Sequence, residues 1–582
     1  MHRKWRVREE IPYALVKRFP DLNPIILQIL YNRGIKTKDE IESFLRSDWN
    51  LDILDPFLFQ DMKKAVDIIF SHIGQGSKIV VFGDYDADGV CGSAIVYLTL
   101  RHIGAQNVEI YIPHREFEGY GLNQTAIQAL FNKNTSLIIT VDLGIGNIEE
   151  IEFLHSKGIK SIVIDHHTIL KDSAGRQILP VSDAIIHSGV EGESYPYKHL
   201  SGTGTAFKVA QALLQKSGKD EKESFAKWLL DLVAIGTIAD MVPLIGENRV
   251  LVKYGLKVLN KTRRMGLRML IEKSGLMENG YIDPNASFNL NAWNVAFQIA
   301  PRLNAAGRLN HAREALELIL SEDSQEAYDL AQHLNDVNRE RQQVSDQVYQ
   351  EAMEIIGDVD GKSFLFAKSS SWPVGVLGIV AGRIANTFNK PVILLTEFRG
   401  LYHGSGRSVE GFDITKALSR FEKYLTSYGG HSGACGLSLK EENIDEFVEA
   451  FSIYLDKKLK DADLTPILDI DVNMPLDRVD ERLIEDIENL EPFGQDNPEP
   501  LFTTGNLIVD KVETVGSGDK HLRVYLREGD SVYKFMGFGM KDYFSEQSID
   551  TGSRVDVVYT LSFNEWRGNK EIQFKIKDIR RR

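Results

Sequence analysis

In the first half of the chain, short β-branched apolar runs alternate with longer stretches of helical periodicity. KIVVFG (78–83), SLIITV (136–141) and KSIVI (160–164) show no polar alternation. That pattern predicts strands covered on both faces, hence a parallel α/β sheet, over residues 51–260. Residues 1–50 read as a short helical lead-in (ALVKRF, LNPIILQILYNRG). Residues 261–357 read as helical, and their last part, 322–357, is charged and has neither proline nor an internal glycine. This last part predicts a connecting helix of about 50 Å at 1.5 Å per residue. A second α/β unit follows over 358–462, with SFLFAKS and PVILLTE as strands. In 463–582 the period falls to two. HLRVYLRE, SVYKFMGFGM, SRVDVVYTLSF and EIQFKIKDI, separated by turn signals, predict an OB-like barrel.

The buried runs of the first unit end in chemistry. Asp84, Asp86 and Asp88 follow the first run at alternate positions, Asp142 follows the second, and Asp165, His166 and His167 follow the third. A further apolar segment, LLDLVAIGTIADMVPL, carries Asp240. A doubly wound sheet gathers the carboxyl ends of its strands, where such folds bind ligands. Carboxylates packed this densely repel one another unless cations lie among them. Four of them with one or two imidazoles suffice for two divalent cations bridged by a shared aspartate, the apparatus of in-line attack at phosphorus. An oxygen-rich site with an imidazole suits Mn²⁺ better than Mg²⁺. In the second α/β unit, GSGRS (404–408) reads as a glycine-rich loop whose amides cradle a phosphate clamped by Arg407, and NAAGR offers Arg308.

The segments GDYDADG, VDLG, IDHH and GTIADMVPL resemble motifs I to IV of the DHH phosphoesterase superfamily. PHREFEGYGLN, LSGTGTAFKVAQAL, APRLNAAGRL, GSGRSVEGFDI, GGHSGACG and LEPFGQDNPEPLF resemble the RecJ family, in order from about residue 50 to the last residue. The resemblance implies a DHH domain joined by the long helix to a DHHA1 domain, then an OB-like domain. It implies a metal-dependent exonuclease that hydrolyses single-stranded DNA 5′→3′ to mononucleotides in recombination and repair. Asp86, Asp88, Asp142, His166 and Asp240 are then the metal ligands, with Asp142 bridging. Asp84 and Asp165 are further ligands or orient the ligands. His167 faces the scissile phosphate, and Arg308, Ser405 and Arg407 bind the 5′ phosphate. Arg302, Asn304 and His431 also fall in motifs that contact DNA. The implied partners are single-stranded DNA, a single-strand-binding protein and a helicase, with the chain acting as a monomer.

Composition changes this picture little. The 582 residues exceed one core, and the hydrophobic share (43%) and charged share (26%) are ordinary. The net charge of −15 predicts weak binding to duplex away from the cleft. The chain holds two cysteines, shows no membrane-length apolar run and has no apolar region behind its basic start. Together these predict a cytoplasmic protein without membrane contact. Departures from the family pattern are Pro373 for a histidine, Cys91-Gly92 for Thr-Ser, Cys435 for alanine and Asp496 for glycine. None removes a metal ligand. Two other readings are a DHH phosphodiesterase acting on short oligonucleotides or cyclic dinucleotides, and a non-catalytic replication scaffold. The β-rich last domain argues against the first and the intact acids against the second.

Overall fold

The computed structural model describes residues 3–115, 117–119, 121–219, 224–276, 288–460, 465–566 and 569–582. Glu116 and Tyr120 of the PHREFEGYGLN motif lie outside them, as does the side chain of Trp566 in the last unit.

The first unit is built on a parallel five-stranded sheet in the order Val108–Tyr111, Lys78–Gly83, Thr135–Val141, Lys160–Ile164, Ala184–Ile186. Successive side chains point to opposite faces, and here both faces are buried. Ile79, Val81, Leu137 and Ile139 pack under the helices Met62–Gly74, Ala87–Ile103 and Gly202–Ser217. Val80, Phe82, Ile138 and Val163 pack under Gln124–Asn132 and Ile148–Ser156. The unbroken apolar runs follow from this double cover.

The connecting helix is Ser324–Ile356, 33 residues long, opened by the Asp323 side chain, which accepts from the amides of Gln325 and Glu326. Ala327, Ala331 and Leu334 belong to the core of the first unit, and Val348, Ala352 and Ile356 to that of the second. One rigid rod thus sets the spacing of the two units. The second unit has the strand order Leu425–His431, Ala434–Leu439, Leu401–Arg407, Val392–Phe398, Leu365–Lys368. The GSGRS segment is not a loop. It forms the end of the strand Leu401–Arg407, paired on both sides, so its amides go into the ladders and cannot cradle a phosphate.

The last unit closes as a barrel, with Phe502–Val515 pairing with both His521–Glu528 and Arg554–Trp566. The lead-in helices Pro24–Asn32 and Lys38–Arg46 share its core: Ile26, Ile29, Leu30 and Phe44 cluster with Leu483, Phe502, Leu507 and Ile579. Buried Arg249 ties both to the first unit. Its guanidinium donates to the carbonyls of Phe44 (3.0 Å), Leu490 (2.8 Å) and Asn489 (3.1 Å). Ending the chain near residue 465 is therefore expected to uncover the lead-in and leave Arg249 without two acceptors. Such a protein should melt lower and precipitate more readily than one lacking both the lead-in and the barrel, as solubility and thermal melting would show. No helix among the described residues is long and apolar enough to cross a membrane.

Candidate active site

The chain enters the first sheet at Lys78–Gly83, winds to one side at Val108–Tyr111 and then to the other at Thr135–Val141. The switch point lies between the first and third of these strands, with Asp84 and Asp142 at its rim. Asp86 begins the helix Ala87–Ile103, its Oδ1 accepting from the amides of Asp88 (2.9 Å) and Gly89 (3.1 Å). Asp88 reaches the opposing helix Gly202–Ser217, whose first amides, Gly202 and Thr203, donate to it at 2.7 and 3.0 Å. A helix N-terminus offsets a buried negative charge. Asp142 adopts a left-handed backbone, φ 63°, a conformation costing an L-residue about 1 kcal/mol and typical of functional turns.

Two groups of donors result, and Asp142 also lies with His166 and His167 in a third. Around His166 Nε2 lie Asp142 Oδ1 at 3.1 Å, Asp240 Oδ2 at 3.4 Å and Asp88 Oδ2 at 3.8 Å. Asp84, Asp86 and Asp142 form the second group, with one oxygen of each within 4.8 Å of the others. Asp142 belongs to both. Burial, then the neighbouring carboxylates, push Asp84, Asp142 and Asp240 well above the usual carboxyl range. Burial lowers His166 against the pull of Asp88, favouring the neutral imidazole that ligates metals. Among the described residues, buried Asp84 Oδ1 has no hydrogen-bond partner. A buried cluster of this kind fits divalent cations, which replace the protons the acids otherwise hold.

Asp165 is buried and belongs to none of these groups. It accepts from the amides of Ile145, His166 and His167 at 2.9, 2.7 and 3.1 Å and holds His167 Nδ1 at 2.8 Å. Burial alone would raise this carboxyl, but the hydrogen bond and charge of His167 outweigh it and hold it below the ordinary range. Burial likewise opposes charge on His167, yet Asp165 raises the imidazole to about 9. The ring is half-exposed, and Asp165 fixes its orientation through Nδ1.

Across the cleft, Arg407 Nη1 donates to Ser405 Oγ and the Gly406 carbonyl, both at 2.9 Å. Arg308 Nη1 donates to the carbonyl of Gly375 at 3.1 Å. Both converge on the first turns of the helix Val374–Phe388. A Cβ at Gly378 would lie 2.6 Å from Arg407 Nη2, and one at Gly307 only 2.5 Å from the carbonyl oxygen of Tyr85. The segment that carries Arg308 thus packs directly on the aspartate turn, and Arg407 lies against the same helix start.

Family models match three stretches: the DHH family N-terminal domain at 78–237, the DHHA1 domain at 361–457 and the RecJ OB domain at 470–578. The single-stranded-DNA-specific exonuclease RecJ of Bacillus subtilis is 37% identical over 561 residues, 96% of this chain and 68% of that protein. That of Escherichia coli is 30% identical over 587 residues, 96% of each. The chain belongs to the RecJ family. The crystal structure of Thermus thermophilus RecJ with Mn²⁺ superposes with a TM-score of 0.81 at 29% identity, covering 99% of this chain and 79% of that one. The Mg²⁺ complex gives 0.76. Both of those Thermus structures hold a divalent cation.

The remaining residues picked from sequence are placed differently from one another. Asn304 Oδ1 accepts from the Ala87 amide at 2.7 Å, bracing the aspartate turn. Arg302 is engaged by Asn335 and the Gln298 carbonyl. His431 lies in one cross-strand row with Ala434 and Arg407, two strand spacings (~10 Å) from the latter. Of the departures from the RecJ pattern, Asp496 keeps the positive φ (58°) of the glycine it replaces, which Asp tolerates better than most residues. Pro373 precedes the first turn of Val374–Phe388 with φ −65°, its natural value.

Sequence reading missed two residues. Arg115 lies within charge range of Asp84, Arg308 and Arg407, with its guanidinium over the Tyr85 ring at 5.0 Å. The signal was its place just after the strand Val108–Tyr111, at the same sheet edge. His187 accepts from the Gly189 amide at Nδ1 (2.9 Å), so its Nε2 donates to the His167 carbonyl (2.8 Å). Only the fold brings it there.

Proposed function

We propose that this chain degrades single-stranded DNA from its 5′ end, releasing mononucleotides, with Asp142 shared between two divalent cations. RecJ membership supports a metal-dependent single-strand DNA exonuclease. The observation that carries the polarity is that Arg308 and Arg407 converge on the first turns of the helix Val374–Phe388, while Gly307, next to Arg308, packs on the Tyr85 carbonyl of the aspartate turn. A terminal phosphate gripped there leaves only the first phosphodiester within reach of the acids.

Asp88, Asp240 and His166 would hold one cation, Asp84 and Asp86 the other. The cations would activate the attacking water and offset charge at phosphorus. His167, protonated and oriented by Asp165, donates to the scissile phosphate or the leaving oxygen. Arg308, Arg407 and Arg115 bind and align the 5′ phosphate, with Ser405 orienting Arg407. The oxygen-rich donor set with one imidazole favours Mn²⁺ over Mg²⁺. Because the substrate is single-stranded, an unwinding reaction must supply it, which fits a cytoplasmic monomer working beside a helicase and a single-strand-binding protein.

Removing the 5′ phosphate from an end-labelled oligonucleotide is expected to weaken binding about 10-fold or more, the worth of a charge-assisted bidentate contact. In Arg407→Ala the same removal should cost much less. Equal losses in both proteins would show that Arg407 does not read the 5′ end.

A further inference from the structure

Far from these motifs, the strand Lys4–Val7 pairs in parallel with Ile467–Ile470. A groove of about 510 Å³ opens there, lined by Arg3, Lys4, Trp5, Arg6, Ile467 and Arg580 among others, with no carboxylate in its lining. In a chain of net charge −15 such a concentration of cations is unusual. Arg6 is matched by Asp469 at 2.5 Å, which leaves Arg3, Lys4 and Arg580 as the other cations of the lining.

The aromatic ring in this groove is held in place. Trp5 Nε1 donates to Asp578 Oδ2 at 2.7 Å, and Asp578 also accepts from the Tyr543 hydroxyl at 2.8 Å. The Arg580 guanidinium stacks on the indole at 4.2 Å and donates to the Arg3 carbonyl. Arg580 covers one face of the indole, so a base would stack on the ring surface that lines the groove while the guanidinium edge meets a phosphate. Many bases on the barrel are instead already neutralised. Lys511 and Arg523 pair with Glu513, Arg527 with Asp510, Lys534 with Glu571, and Lys577 with Glu499.

We propose that this groove binds the single strand at a distance from the active centre, stacking one base on Trp5 and holding phosphate with Arg580 and Arg3. The proposal rests on the exonuclease reading above. An acidic peptide would use the charge but not the indole face.

The test uses the full chain and 5′-phosphorylated single strands, short (about 5 nucleotides) and long (about 40), against site sizes of ~4–16 nucleotides. Binding is measured without divalent cations and cleavage with Mn²⁺. Trp5→Ala should weaken binding of the long strand by about 5- to 100-fold, and Trp5→Phe, which keeps a ring, should restore most of it. Arg580→Ala should lower the slope of log K against log salt by about 1, and Arg580→Lys should not. Cleavage of the short strand should stay at wild-type rate in all four, which also shows that they fold. Long-strand binding unchanged in Trp5→Ala and Arg580→Ala overturns the groove and leaves the exonuclease reading intact. So does loss of binding to a polyglutamate peptide without loss of binding to DNA. A wild type that fails to cleave either strand overturns the exonuclease reading, while binding still decides the groove.

Discussion

Asp142→Asn is expected to abolish hydrolysis, lowering turnover by ~10³-fold or more, because it removes the charge of the one carboxylate that belongs to both ligand groups. The same change should make the cation-free protein more stable. Burial and mutual repulsion raise Asp84, Asp142 and Asp240 well above the ordinary carboxyl range. An acid whose folded pKa lies above its unfolded value binds protons more tightly when folded. Its contribution to stability is complete below the unfolded pKa and is lost as pH rises through the folded one. The cation-free wild type should therefore melt at falling temperatures as pH climbs above the usual carboxyl range, and Mn²⁺ should restore it by replacing those protons. Asn at 142 removes one charge from the cluster and should flatten that dependence. Melting curves across pH, with and without Mn²⁺, and turnover on a single strand give both readouts. Near-wild-type cleavage by folded Asp142→Asn would remove Asp142 from the centre of the site.

His167→Ala is expected to keep cations and DNA affinity and to lose about 10²- to 10⁴-fold in rate, the range for a positioned general acid. The division of labour within Asp165-His166-His167 predicts this. His166 Nε2 points into the carboxylates, while His167 Nδ1 is bound to Asp165. Asp165 lifts His167 to about 9. Bound cations nearby lower that value, so the wild-type rate should fall on an alkaline limb beginning below 9, absent from His167→Ala. Collapse of Mn²⁺ binding in His167→Ala would instead make it a ligand. Metal content, DNA affinity and a pH–rate profile separate the two.

The carboxylates were legible because their chemistry is local to the strand ends. Lys78–Gly83, Thr135–Val141 and Lys160–Ile164 are apolar on both faces, and each is followed at once by its acid. A parallel sheet then aligns those ends whatever the loops do. The long helix and barrel strands were legible for the same reason, since period and length are properties of consecutive residues. The resemblance to RecJ motifs added the roles of Arg308, Ser405 and Arg407.

What the chain alone left open depends on contacts between distant segments. GSGRS reads as a loop because glycine and serine are turn formers, but pairing on both sides makes it a strand. Lys4–Val7 is only four residues long and mostly exposed, so only its partner Ile467–Ile470 makes it a strand. The lead-in looked self-contained, yet its apolar face is completed by the barrel more than 400 residues away. Which histidine of the pair faces the carboxylates and which is held by Asp165 was set by where Asp142 and Asp165 stand around them. A pattern along the chain reports which residues seek burial or charge; which partner meets that need is decided by packing between segments the pattern does not connect.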